Sequence, residues 1–196
     1  MKKIIGFLLI SFGVMVVLKE EYHFKNYSDI FSKMTSSEEP HKSDISVEDQ
    51  VIYISGLGDF DQSDLETASK AITEVYGLKC EIINPTSTSD ILYNEKGKLD
   101  AKICHQQLNP KNKTVYVTNE YVMSDGIIVC GATTFYGNFI IVSDNFNNHV
   151  RNTTLHEMAH TFGVDHCDNQ CILGHIKLGE PNGKFCNDCK LKLKLK

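Results

Sequence analysis

The sequence contains one arginine, Arg151, against 25 acidic residues, and its formal net charge is −5. A nucleic-acid-binding surface needs a basic face, so this balance argues against nucleic acid as a partner. No internal repeat and no low-complexity tract is present. No apolar run reaches the ~20 residues an ordinary membrane helix requires. Seven cysteines are too few for a small disulfide scaffold, and four of them lie between Cys167 and Cys189. What remains is a composition of 41% hydrophobic and 23% charged residues over 196 positions, that of one folded globular domain. The excesses lie at the C-terminal end, where His156, His160 and His166 precede the four late cysteines.

Lys2 and Lys3 are followed by the uncharged, apolar run Ile4–Leu18, which Lys19-Glu20-Glu21 closes. That layout is the one of an export signal. The run is long for the apolar region of a cleaved signal and short for a spanning helix. No convincing small-x-small cleavage site follows, and no cysteine lies near enough for a lipid anchor. Residues 1–18 are therefore expected to form a signal or membrane-anchor segment, membrane-associated through residues 4–18. The N-terminus would face the cytoplasm and the domain would lie outside it. The alternative is a buried N-terminal element of a cytoplasmic protein. Residues 19–49, with the polar run Ser36–Ser43 and its proline, read as a stalk, and residues 50–196 as the functional domain.

Within that domain Val51–Ile54 reads as a buried strand stopped by Gly56 and Gly58. Asp61 or Ser63 can cap a helix reaching Tyr76, with Leu65, Ala68, Ile72 and Val75 at helical spacing. Cys80–Ile83 reads as a second strand, and this strand–helix–strand unit favours parallel pairing in an α/β sheet. Leu99–Leu108 reads as a helix, and Thr114–Thr118 and Phe139–Val142 as further strands. Cys80, Cys104 and Cys130 read as buried apolar residues. Asp59, Asp61, Asp64 and Glu66 lack the ligand spacing and closing glutamate of a calcium loop and read as a solvated turn.

The chemistry is concentrated in His156-Glu157-Met158-Ala159-His160-Thr161-Phe162-Gly163-Val164-Asp165-His166. Two histidines four positions apart share one helix face, roughly 6 Å apart, and both imidazoles can reach one zinc ion. Glu157 sits where its carboxylate can reach a zinc-bound water without ligating the metal. Leu155, Ala159 and Phe162 occupy a neighbouring face and would anchor the helix. Gly163 permits a sharp exit at positive φ, after which His166 can supply a third nitrogen. Three histidines leave the fourth zinc position open, as at a catalytic site. Directly behind, Cys167-x3-Cys171 and Cys186-x2-Cys189 form two close pairs. They suit a closed tetrahedral zinc site, with two disulfides of an exported protein as the alternative.

His156–His166 resembles the zinc-binding motif of the metzincins. The adjoining Cys167, then Cys171, then Cys186-x2-Cys189, resembles one branch of them, the archaemetzincins. The matching positions are His156, Glu157, His160, Gly163, His166, Cys167, Cys171, Cys186 and Cys189. The gap between Cys167 and Cys171 is one residue shorter than in that family. The gap before Cys186 is shorter as well, and Leu173 stands where the family has the methionine of its Met-turn. The resemblance implies a metzincin-like fold: a small mixed twisted sheet, an active-site helix, a Met-turn-like loop and a C-terminal zinc-bound segment. It implies a zinc-dependent peptidase with two zinc ions per chain. His156, His160 and His166 would hold the catalytic ion, Cys167, Cys171, Cys186 and Cys189 the structural one, and Glu157 would be the general base. Phe139–Val142 resembles the edge strand along which metzincins bind an extended peptide.

The partner would then be a peptide or protein substrate, and the chain is expected to be a monomer. The alternative is a non-catalytic zinc-stabilised module that binds peptides or proteins on the same fold; an assembly factor dominated by its membrane anchor is a third reading. His175 reads as a loop residue. His23, His41, His105 and His149 have no partners at ligand spacing, and Tyr121 and Tyr136 are left outside the site. Removing the terminal lysines leaves residues 20–189 with 13 basic and 25 acidic side chains, a net of −12 that favours neutral or basic peptides. The alternating tail Lys190–Lys196 reads as solvated, with one or two leucines tucked onto the body.

Overall fold

In the computed structural model, residues 50–145, 149–174 and 183–195 are described. The expected anchor 1–18, the expected stalk 19–49 and His175 lie outside them. Among the described residues no helix is long and apolar enough to cross a membrane.

The chain begins with β1 (Val51–Gly56), α1 (Gln62–Tyr76) and β2 (Lys79–Ile82). β1 and β2 pair in parallel, as the strand–helix–strand reading requires. The face of α1 formed by Leu65, Ala68 and Ile72 is buried against the sheet, and Gly77 ends the helix in the left-handed region at φ 68. A short 3-10 turn (Asp90–Leu92) leads to β3 (Leu99–Asp100) and α2 (Ala101–Leu108). The stretch read as one helix over Leu99–Leu108 thus splits. Leu99 and Asp100 pair with Val122 and Met123, and the Asp100 carboxylate accepts from the Lys102 and Ile103 N–H groups, so the helix starts at Ala101, two residues later than read.

Next come β4 (Thr114–Thr118), β5 (Val122–Ser124), β6 (Ile127–Val129), β7 (Gly131–Thr133) and β8 (Phe139–Ser143). Then α3 (Val150–Thr161) carries the histidine motif, and α4 (Asn187–Lys192) lies near the C-terminus. Among the described residues the main sheet runs β2-β1-β4-β8-β7, and a smaller one runs β3-β5-β6. The main sheet is parallel except for β7, which pairs antiparallel with β8. It is therefore the mixed sheet of the expected fold class.

One expectation is corrected here. Phe139–Val142 is not the edge strand. β8 lies between β4 and β7, and all five of its residues are buried. An unbroken apolar run belongs to a strand covered on both faces. The edge on that side of the sheet is β7, whose small residues Gly131, Ala132 and Thr133 gave little strand signal.

α3 sits where two packed groups meet. Val150 and Met158 pack with Ile140 and Val142 on the sheet. Leu155 and Ala159 pack with Ala71, Cys171, Leu173, Phe185 and Cys189. The Tyr76 hydroxyl donates to the Leu155 carbonyl at 2.7 Å, and its ring lies 5.5 Å from that of Phe162, tying α1 to the histidine helix. In the C-terminal segment Leu193 and Leu195 pack on the body while Leu191 is 77% exposed, as the tail reading requires.

Lys113, just before β4, is the notable buried cation. It is 4% exposed, its Nζ donates to the Gly137 carbonyl at 2.8 Å, and it lies 5.4 Å from the centre of the Phe162 ring. Burial pulls its ammonium down to about 8 from an ordinary 10.5. Below pH 8 the side chain is charged in both the folded and the unfolded chain. Between pH 8 and 10.5 the unfolded chain binds more of this proton, so Lys113 makes stability rise with pH over that window, by on the order of 3 kcal/mol. Denaturant unfolding across pH 7.5–10.5 is expected to show a smaller rise in Lys113→Met than in the wild type. Parallel curves would contradict the assignment.

Candidate active site

α3 presents His156 and His160 one turn apart. Gly163, at φ 76, reverses the chain, with the Gly163 N–H donating to the His160 carbonyl and the Val164 N–H to that of Ala159. That reversal brings His166 back onto the helix. The three rings converge through their Nε2 atoms, with His156 Nε2 3.0 Å from that of His160 and 3.2 Å from that of His166.

The tautomers follow from the other ring nitrogens. A backbone carbonyl can only accept, so His156 Nδ1 donates to Ile172 (2.7 Å) and His160 Nδ1 to Val164 (2.8 Å). Burial, with neighbouring histidines, pulls the two imidazoles down to about 3 and about 4, so both are neutral at pH 7. Each then carries its lone pair on Nε2, and the two lone pairs face each other across 3.0 Å. A cation between them relieves that opposition. Three nitrogens bound tetrahedrally to one zinc lie about 3.3 Å apart, close to the spacing observed. The set could hold a metal ion.

Glu157 is 8% exposed, and burial pushes its carboxyl up to about 8. Its side chain packs under β7: a Cβ on Gly131 would lie 2.8 Å from Glu157 Cγ and 3.0 Å from Oε1. The glycine is thus what lets the edge strand approach the helix. The Phe135 ring lies 5.1 Å from that of His160.

The second donor set is Cys167, Cys171, Cys186 and Cys189, whose sulfurs lie within 4.8 Å of one another and could hold a metal ion. All four are free thiols in the structure. Cys167 Sγ is 3.2 Å from Cys171 Sγ, which is 3.9 Å from that of Cys189. Four sulfurs around one zinc lie about 3.8 Å apart, so the cluster suits one shared ion. Burial raises the Cys167 and Cys189 thiols. At Cys186 burial also acts upward, but the Cys189 N–H and thiol, with the Asn169 amide at 3.4 Å, outweigh it and bring the thiol down to about 7. Leu173 is fully buried in the core that holds Cys171 and Leu155.

The structure therefore brings together every site residue expected from the sequence. It adds participants that the sequence did not point to, the Ile172 and Val164 carbonyls, Gly131 and Phe135, and it brings in Tyr136, which the sequence reading left outside the site. Any residue supplies a carbonyl, so the first two leave no signal in the sequence. Tyr136 adopts φ 56 and lays its ring beside Gly163. His105 lies apart, its ring 5.4 Å from Phe139. Tyr121 has Lys98 Nζ 4.1 Å over its ring.

Gly163→Ala is expected to destabilise the chain by roughly 1–3 kcal/mol, because a Cβ there is strained at φ 76 and meets the Tyr136 ring. Adding Tyr136→Gly should recover part of the loss in a denaturant titration. Wild-type stability in Gly163→Ala alone would contradict this.

Residues 106–195 match the profile of Peptidase family M54. No curated protein matches the chain. The fold is that of an archaemetzincin from Archaeoglobus fulgidus, solved in complex with malonate, at 19% identity and a TM-score of 0.63; the alignment covers 73% of this chain and 99% of that one. A zinc-dependent peptidase from Methanocorpusculum labreanum aligns at 16% identity and a TM-score of 0.54, covering 72% of this chain and 99% of that one. The chain is thus similar to Peptidase family M54 over its C-terminal part and shares its fold with an archaemetzincin and a zinc-dependent peptidase.

Proposed function

We propose that the chain hydrolyses peptide bonds at the histidine cluster, with His156, His160 and His166 as zinc ligands and Glu157 as general base. The observation that carries the reading is the convergence of three imidazole nitrogens, with the side chain of Glu157, next to His156 on the same helix, buried. A zinc ion held there supplies Lewis-acid activation of water and of the scissile carbonyl. Glu157 receives the proton of the attacking water on a carboxylate oxygen and returns it to the leaving amine. A dication nearby favours the ionised carboxylate, against the upward pull of burial. The four cysteines are proposed to hold a second, structural zinc.

The outer edge of β7 is the proposed substrate platform. It ends the main sheet and packs on α3 at Glu157, so a peptide adding a strand there would pass the carboxylate. The buried Glu157 favours an enzyme over a binding module, since gripping a peptide needs no carboxylate desolvated beside the metal ligands.

Glu157→Gln keeps the size of the side chain and removes the base. It is expected to lower kcat/KM on a peptide library by roughly 10²–10⁴-fold while the zinc content stays at the wild-type level. Cleavage at the wild-type rate by a zinc-loaded Glu157→Gln chain would overturn the mechanism.

A further inference from the structure

The two donor clusters share a short piece of chain. His166 is followed directly by Cys167. His156 is oriented by the carbonyl of Ile172, the residue after Cys171. Between these points the segment is closed on itself. The Cys167 N–H donates to the Leu173 carbonyl at 2.9 Å, the Gly174 N–H to the Cys171 carbonyl at 2.8 Å, and the Leu173 N–H to Cys171 Sγ at 3.3 Å. The second cysteine pair reaches the same place. The Ile172 N–H donates to the Lys184 carbonyl at 3.0 Å, two residues before Cys186, and Cys171 and Cys189 are both buried in the core beneath the helix.

We infer that the thiolate cluster positions the histidine cluster. A metal held by the four cysteines fixes the segment Cys167–Leu173, and that segment fixes the histidine site through the Ile172 carbonyl and the His166–Cys167 peptide. The inference rests on the two-metal reading above. When the cysteine cluster is empty, the segment loses the link that joins its two ends to Cys186 and Cys189, and the acceptor that sets the His156 tautomer is held less firmly. Loss of such an outer partner of a ligating histidine weakens metal binding by roughly 10- to 100-fold. The coupling is reciprocal, since each metal must strengthen the binding of the other by the same factor. The four cysteines and Ile172 are thus positioning residues for the histidine site, in addition to holding the C-terminal segment.

The test uses the full chain. Elemental analysis gives zinc per chain, chelator competition gives the affinity of the histidine site, and cobalt absorption reports its geometry. The wild type is expected to hold two zinc ions. Cys186→Ala is expected to hold one, bound 10- to 100-fold more weakly, with an altered cobalt spectrum. Cys186→His restores a fourth ligand and is expected to regain both the second zinc and the wild-type affinity. Should Cys186→Ala fail to fold, the wild type treated with a mercurial, which displaces zinc from thiolates, reports the same quantity. Wild-type histidine-site affinity in a folded Cys186→Ala chain or in the mercurial-treated protein overturns the inference, as does equal weakening in both Cys186 variants. Fewer than two zinc ions in the wild type defeats the two-metal reading itself, and this inference with it.

Discussion

Two neutral imidazoles with their lone pairs turned toward one another, and a third ring nitrogen beside them, are the constraint on which the rest depends. Nε2 of His156 lies within 3.2 Å of Nε2 of both other histidines, and the Nδ1 protons of His156 and His160 are already committed to backbone carbonyls. The rings cannot turn to relieve the opposition without giving up those hydrogen bonds. In the proposed reading a zinc ion binds these nitrogens, and the fold supplies a helix packed into two cores, a left-handed turn at Gly163, and an acceptor behind each of the first two rings.

The same arrangement explains why the sheet ends as it does. In the proposed reading a substrate strand added to β7 meets Glu157, and the glycine at 131 permits the close approach of β7 to α3. β8 behind it is fully buried and holds β7 in register. The Phe135 ring on His160 and the Tyr136 ring on Gly163 come from the turn that joins these two strands. Lys113 secures that turn through Gly137. Substrate platform, proposed base and histidine helix are thus parts of one packed unit.

Much of this was legible in the sequence, and the exceptions have physical causes. Thr114–Thr118 is a strand with the expected bounds, because its run of β-branched and aromatic residues has no competing helical period. His156, His160 and His166 were legible because ligand chemistry restricts residue type and spacing together. The role of Phe139–Val142 was misread: a continuous apolar run marks a strand covered on both faces, and the real edge, Gly131–Thr133, is too short and too small in its side chains to announce itself. The β5–β6 hairpin went unread although Asp125-Gly126, at φ 50 and 81, is a strong turn signal. Leu99 and Asp100 were absorbed into a helix because two residues carry no period of their own. The carbonyls of Ile172 and Val164 were beyond reach, since a backbone acceptor is independent of residue type.

The central claim is that the histidine cluster binds one zinc through three protein nitrogens and keeps a fourth position open beside Glu157. Anomalous diffraction at the zinc edge from crystals of the zinc-loaded chain tests it most directly. The account predicts a peak bonded at about 2.0–2.1 Å to Nε2 of His156, His160 and His166 alone among protein atoms, with Glu157 close by but not coordinating, and a second peak among the four sulfurs. A histidine-site peak with a fourth protein ligand, or no peak between the three rings in a zinc-saturated crystal, would contradict it.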